Sequence, residues 1–301
     1  MPRITLQAFA VPIRNVNGVF DHTYVACSDG TLYGCFGGAA GGRFLMEGNG
    51  DSEVVECHSL HASQAGIYYG VTGVCHQATN RILASTGKMI DSIRRYDKSP
   101  SFVCATFLFG HYGLPWDAQA FGVSKPDWVE DWPDREKRCV CPNPGRLPMP
   151  PDQPSLGMKV GPYASFIRKR MKDQWSSPRL GSWTTEAIRE RLKREILALL
   201  ARQLRKDRIK KKGSFLAGQA EALYADRADL VRALIAGNMS QDEYVRQLNK
   251  LVDEMMRVIK ENITQADYLD VFQVSVDSDI KVADESVNPK LPPSNNDEAT
   301  G

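Results

Sequence analysis

Long apolar runs are missing from this sequence. No stretch of its 301 residues approaches the roughly 20 apolar residues that span a bilayer. The first residues, MPRITLQAFAVPIRNVNG, also lack the uninterrupted apolar segment of a secretory signal, because Pro12 and Arg14 break it. The expected residence is therefore the cytoplasm of the producing cell, with any export following a signal-peptide-independent route. The glycine-rich stretch from Gly37 to Gly42 lacks the Lys-Ser/Thr ending of a phosphate-cradling loop. Neither H-E-x-x-H nor H-x-E…P-C-x-x-C occurs, and there is no internal repeat.

Charge of one sign is scarce overall and concentrated locally. The net charge is +2, yet Phe166 to Lys212 carries sixteen Lys or Arg against five Asp or Glu. That excess fits a solvated helix face. It lacks the interleaved aromatics on which single-stranded nucleic acid stacks, so nucleic acid is not an expected partner. From Val276 onwards the balance turns acidic.

Cysteine is present in an odd number: Cys27, Cys35, Cys57, Cys75, Cys104, Cys139 and Cys141. Seven scattered thiols in a large chain argue for reduced cysteine, not a disulfide framework. Two clusters have metal-ligand chemistry, Cys57, His58 and His61 in ECHSLH, and Cys139 and Cys141 in RCVC. The C-x-C spacing is tighter than that of common zinc sites and prolines follow it at once, so no metal is expected.

The pattern divides the chain into four parts. Residues 1–125 alternate strand-like runs (ITLQAFAV, FDHTYVAC, TLYGCF, EVVECHSL) with turn signals, among them the hairpin dipeptide Asp29-Gly30. From Cys75 to about Arg95 a helical pattern follows, with Ala78, Ile82, Met89 and Ile93 on one face. SFVCATFLFG, after Pro100, is apolar throughout and reads equally as buried strand or buried helix. Residues 126–162 hold prolines at 126, 133, 142, 144, 148, 150, 151, 154 and 162, which exclude long regular elements and suggest a linker or wrapping loop. Residues 163–272 are expected to be helical. Ile188, Leu192, Ile196, Leu199, Leu200 and Leu204 form one stripe. A second helix stops at Gly237-Asn238, and Ser240 with Glu243 forms a capping box before a third stripe, Val245, Leu248, Leu251, Val252, Met255, Val258 and Ile259. Residues 273–301 read as a disordered acidic tail.

The chemistry centres on YGVTGVCHQATNRIL. Cys75 stands at the expected start of a helix, where the macrodipole stabilises a thiolate, and Gly73 permits a sharp approach that turns backbone amides toward an oxyanion. Five histidines are candidate bases: His22, His58, His61, His76 and His111. His76 would point about 100° away from Cys75 on a helix. His22 shares a strand face with Phe20, Tyr24 and Ala26, where an imidazole needs a partner or a cleft. Gln77 and Asn80 read as helix-surface polarity.

The order of these elements, a histidine strand in DHTYVACSDGTLYG before a glycine-flanked cysteine helix in GVTGVCHQATNRIL, resembles the circularly permuted branch of the NlpC-type papain-like cysteine peptidases. The likeness spans roughly residues 15–95. It implies an α+β fold, a papain-like antiparallel sheet with a nucleophile-bearing helix, followed by an α-helical C-terminal region. It also implies a cofactor-free cysteine amidase or endopeptidase working through a thioester, with Cys75 as nucleophile, His22 as base and a third polar residue on the next strand. TLYGCF offers none, and Glu56, His58 and His61 in EVVECHSLH are the substitutes, with His58, late in a strand-like run, taken as third member. Cell-wall stem peptides, protein amides and lipid esters are the implied substrates, and a secreted bacterial effector the implied setting. The helical region would then bind a protein partner or inhibitor. Acyl transfer or deamidation on the same fold, or a non-enzymatic α+β binding module with a basic helical arm, are the alternatives.

Overall fold

The structure is a computed structural model that describes residues 3–15, 18–30, 32–33, 42–51, 67, 69–83, 86, 88–90, 100–114, 185–204, 208–283 and 285. It is α+β: an antiparallel sheet followed by helices. Strands β1 (Arg3–Asn15) and β2 (Gly18–Cys27) pair from Leu6↔Cys27 to Asn15↔Gly18. The expected turn at Asp29-Gly30 leads into β3 (Leu32–Tyr33), and β4 (Arg43–Asp51) closes the order β3-β2-β1-β4. Pro12 sits inside β1, beyond Ala10↔Arg43 where pairing with β4 ends, so its missing N–H leaves no gap in that ladder.

Strand alternation gives the sheet two unlike faces. Leu6, Ala8 and Ala10 of β1, and Asp21, Thr23, Val25 and Cys27 of β2, are buried under helices. The other face is aromatic: Phe9 stacks on Tyr24 with ring centroids 5.5 Å apart, Phe44 meets Phe9 edge-on at 5.9 Å, and His22 lies parallel to Tyr24 at 6.2 Å.

Helix α1 (Cys75–Leu83) packs on β2, and α2 (Pro100–Phe109) packs on both. The apolar run after Pro100 is therefore a helix, with proline at its first position, where its missing N–H is harmless. Helix α1 is shorter than the pattern suggested. The Thr86 hydroxyl donates to Leu83 O at 2.6 Å and accepts from Lys88 N, ending the helix before Met89.

The later helices follow their stripes. In α3 (Thr185–Gln203) Leu192, Ile196, Leu199 and Leu200 are buried, and Leu204 just beyond it continues the row. A π-helical turn, Ile209–Gly213, leads into α4 (Ser214–Ile235), which ends beside Gly237-Asn238. In α5 (Gln241–Asn262) Val245, Leu248, Val252, Met255 and Ile259 are buried. Helix α6 (Gln265–Phe272) follows, capped by Thr264. The Ser240 hydroxyl accepts from Glu243 N at 3.2 Å, as the capping box requires. Ser240→Ala is expected to cost about 1 kcal/mol in a urea titration, with an unchanged m-value.

One apolar core runs from β1 to the segment after α6, so the described helices pack into the same core as the sheet. That segment corrects the expectation of a tail disordered from residue 273. Ile280, Val282 and Ala283 are buried, and Asn249 of α5 accepts from the N–H of Val282 and of Ala283 and donates to Ala283 O. Three nonlocal hydrogen bonds to the Asn249 side chain and three buried apolar side chains outweigh the acidic composition. The expected Pro-rich segment at 126–162 lies outside the described residues. None of the helices among them is long and apolar enough to cross a membrane.

Candidate functional site

Helix α1 begins at Cys75, as its position after Gly73 suggested. Val74 supplies no capping side chain of its own. Instead Gln77, three residues into the cap, reaches back so that its Oε1 accepts the Val74 N–H at 3.0 Å, one half of a capping box. The turn before it is tight: Gly70 takes φ +76°, a conformation that suits glycine, and its N–H donates to Gly73 O at 2.8 Å.

All nine residues of α1 are buried, five of them polar. This overturns the reading of Gln77 and Asn80 as surface polarity. Residues 77, 80 and 81 share one helix face and bind three successive carbonyls of the irregular segment after α2. Gln77 Nε2 donates to Gly110 O at 2.9 Å, Asn80 Nδ2 to His111 O at 2.7 Å, and Arg81 Nε to Tyr112 O at 2.6 Å. Asn80 also donates to Ile90 O and accepts from Ile90 N. These side chains satisfy backbone groups that have no ladder partner, which is the condition for burying such a loop.

The opposite face of α1 meets β2. Cys75 Sγ donates to Asp21 O at 3.6 Å. His76 Nδ1 lies 3.2 Å from the Thr23 hydroxyl, which also accepts from the Thr79 hydroxyl at 3.2 Å. Since Thr79 donates into that oxygen, the Thr23 proton is available to His76 Nδ1 or to the Cys75 sulfur.

Burial dominates the electrostatics. It pushes the Cys75 thiol up to about 11 against hydrogen bonds from the Thr23 backbone and hydroxyl and the His76 backbone, while the Asp21 charge adds to the rise. Desolvation of the sulfur anion thus leaves the thiol, not a ready thiolate, at the head of the helix. His76 is lowered to about 3 by burial, with the His22 charge adding to it. The resting pair is a neutral thiol and a neutral imidazole.

Of the three residues expected to form the site, the two that are described lie on opposite faces of β2. Cys75 heads α1 under β2. His22 stands beside Tyr24 on the other sheet face, half-buried, and acts on His76 through its charge. His58, like Cys57, His61, Cys139 and Cys141, lies outside the described residues. His76, set aside on helical geometry, is the imidazole that reaches Thr23. The sequence signal was Thr23 itself: on an alternating strand it shares the buried face with Asp21 and Val25, so a polar residue on the facing helix had to answer it. His111 is buried after α2, where Glu195 of α3 accepts its backbone N–H at 2.8 Å and stands 3.5 Å from its Nδ1.

Cys27, Cys75 and Cys104 are buried free thiols, and among the described residues no three His, Cys, Asp or Glu side chains converge as a metal site would. Comparison with family models, with curated proteins and with solved structures finds no match to this chain.

Proposed function

We propose that this protein is a thiol-dependent acyl hydrolase in which Cys75 is the nucleophile and His76, reached through Thr23, accepts its proton. The observation that supports this reading is the buried polar layer between α1 and β2, where Cys75, Thr23, His76 and Thr79 adjoin one another beside the buried Asp21. In the step envisaged, the Cys75 S–H proton passes to Thr23 Oγ1 as the Thr23 proton passes to His76 Nδ1. The sulfur then bonds to an amide or ester carbonyl carbon. As the tetrahedral intermediate collapses, the imidazolium returns its proton by the same route to the departing amine or alcohol, and the bond to that leaving group breaks. Water then cleaves the thioester, restoring the thiol and releasing the carboxylic acid. Because thiol and imidazole both rest neutral, the thiolate forms by general-base transfer when substrate arrives.

His22 enters as the charge that tunes His76, a different role from that implied by the likeness to permuted NlpC-type peptidases. The substrate class carried by that likeness, peptide amides including cell-wall stem peptides, and delivery as a bacterial effector, belong to the same proposal. A second reading is favoured by the complete burial of Cys75: an α+β binding module in which the cysteine is a core residue.

Acyl trapping separates the two. A short N-acetylated peptide aryl ester is incubated with the protein, acid-quenched and mapped by mass spectrometry. The acyl group is expected on Cys75 alone. Cys75→Ala should abolish it with the fold retained, and Thr23→Val should slow it at least tenfold. A folded protein whose Cys75 stays unacylated over the full pH range would leave the binding module standing.

A further inference from the structure

The turn that leads into Cys75 is held from the far end of the chain. Tyr244 of α5 donates its hydroxyl to Gly70 O at 2.5 Å. Arg227 of α4 donates from Nη1 to Val71 O. Leu114 N donates to Thr72 O at 2.7 Å, and Gly73 O receives the Gly70 N–H. Four successive carbonyls are thus each assigned a donor, two of them from helices more than 150 residues away in sequence, at separations of 156 and 174.

Both long-range donors are themselves fully buried. The Arg227 guanidinium lies 5.3 Å from the ring centroids of both Phe109 and Tyr224, so α2 and α4 together set its direction. A buried guanidinium is costly to retain unless its donors are used, and here one is aimed at the backbone four residues before Cys75.

We infer that α4 and α5 act as a positioning device for Cys75, with Tyr244 and Arg227 holding the Gly70–Gly73 turn in the geometry that keeps the thiol covered and set against Thr23. Its meaning for catalysis rests on the acyl-hydrolase reading. The holding of the turn does not, and can be measured without a substrate.

The test is the iodoacetamide alkylation rate of Cys75 in the full chain, read by peptide mass spectrometry, with Cys27 and Cys104 as internal references. Tyr244→Phe removes one oxygen and leaves Gly70 O without its hydroxyl donor. The expected result is about a tenfold faster alkylation of Cys75 through local opening of the turn, with Cys27 and Cys104 unchanged. Tyr268→Phe, which deletes an equally buried hydroxyl on α6, should leave Cys75 at the wild-type rate. An unchanged Cys75 in Tyr244→Phe would overturn the inference. So would a parallel rise at all three cysteines, because that reports general destabilisation. If the turn opens selectively but no acyl adduct is found on Cys75 in wild type, the device stands and only the hydrolase reading falls.

Discussion

Asn80→Ala is expected to lower the stability of the protein by about 3–5 kcal/mol, the largest single-residue effect in α1. The side chain serves three buried backbone groups at once, Ile90 N, Ile90 O and His111 O. Each group stranded in a dry interior costs roughly 1–3 kcal/mol, reduced where the loop relaxes. Asn80→Asp is the sharper variant. It keeps the shape and the acceptor for Ile90 N, but turns an oxygen toward two carbonyls. It is expected to be nearly as damaging as alanine near neutral pH, and to recover in part on acidification, when the protonated carboxyl regains one donor. Urea titrations of both variants at two pH values measure this. A loss below about 1 kcal/mol for Asn80→Ala would mean that the 110–112 segment does not depend on α1.

Acidification should also weaken the wild-type protein through His76. Its folded pKa, about 3, lies below the ordinary value of 6.5 because the ring is buried. Between those two values the unfolded chain binds a proton that the native protein refuses. Stability therefore rises with pH across that window and is lost as pH falls through it. The slope from one such group is about 1.4 kcal/mol per pH unit. His76→Asn keeps a hydrogen-bonding group near the Nδ1 position and cannot titrate. The difference between wild-type and variant unfolding free energies should therefore shrink steadily from pH 6.5 to pH 3.5. Parallel pH curves would show that the imidazole is not buried neutral against Thr23.

What could be read from the sequence was local. The stripes of α3 and α5, the stop at Gly237-Asn238 and the Ser240–Glu243 cap each follow from residues within a few positions of one another. The strand character of β1 and β2 and the turn at Asp29-Gly30 were equally legible, because alternation and the turn residues agree. The start of α1 at Cys75 belongs to the same class.

The misreadings share a physical cause, a partner distant in sequence. Gln77, Asn80 and Arg81 look like the wet side of an amphipathic helix until the carbonyls of Gly110, His111 and Tyr112 are brought to them. Strand β4, RFLMEGNGD, escaped notice because Gly48 and Gly50 interrupt its pattern. A side chain at Gly48 would press within 2.8 Å of Thr86, so the glycine answers a contact 38 residues away that no local rule contains. His76 was discounted on the angle between neighbours along a helix. That argument is sound for direct contact between the two side chains and silent about a third residue, Thr23, that both can reach.

The long-range hold on the Gly70–Gly73 turn has a consequence for how the protein is made. During synthesis the segment carrying Cys75 emerges well before Arg227 and Tyr244 exist, so two of the four donors that hold the Gly70–Gly73 turn are still missing. The apolar sheet face and α2 wait equally for their cover. Over that interval β2 can already lie over the sulfur through Asp21 O, but the turn before it is only half held until α5 is delivered. Chains stalled before residue 244 should therefore be the ones found with Cys75 modified.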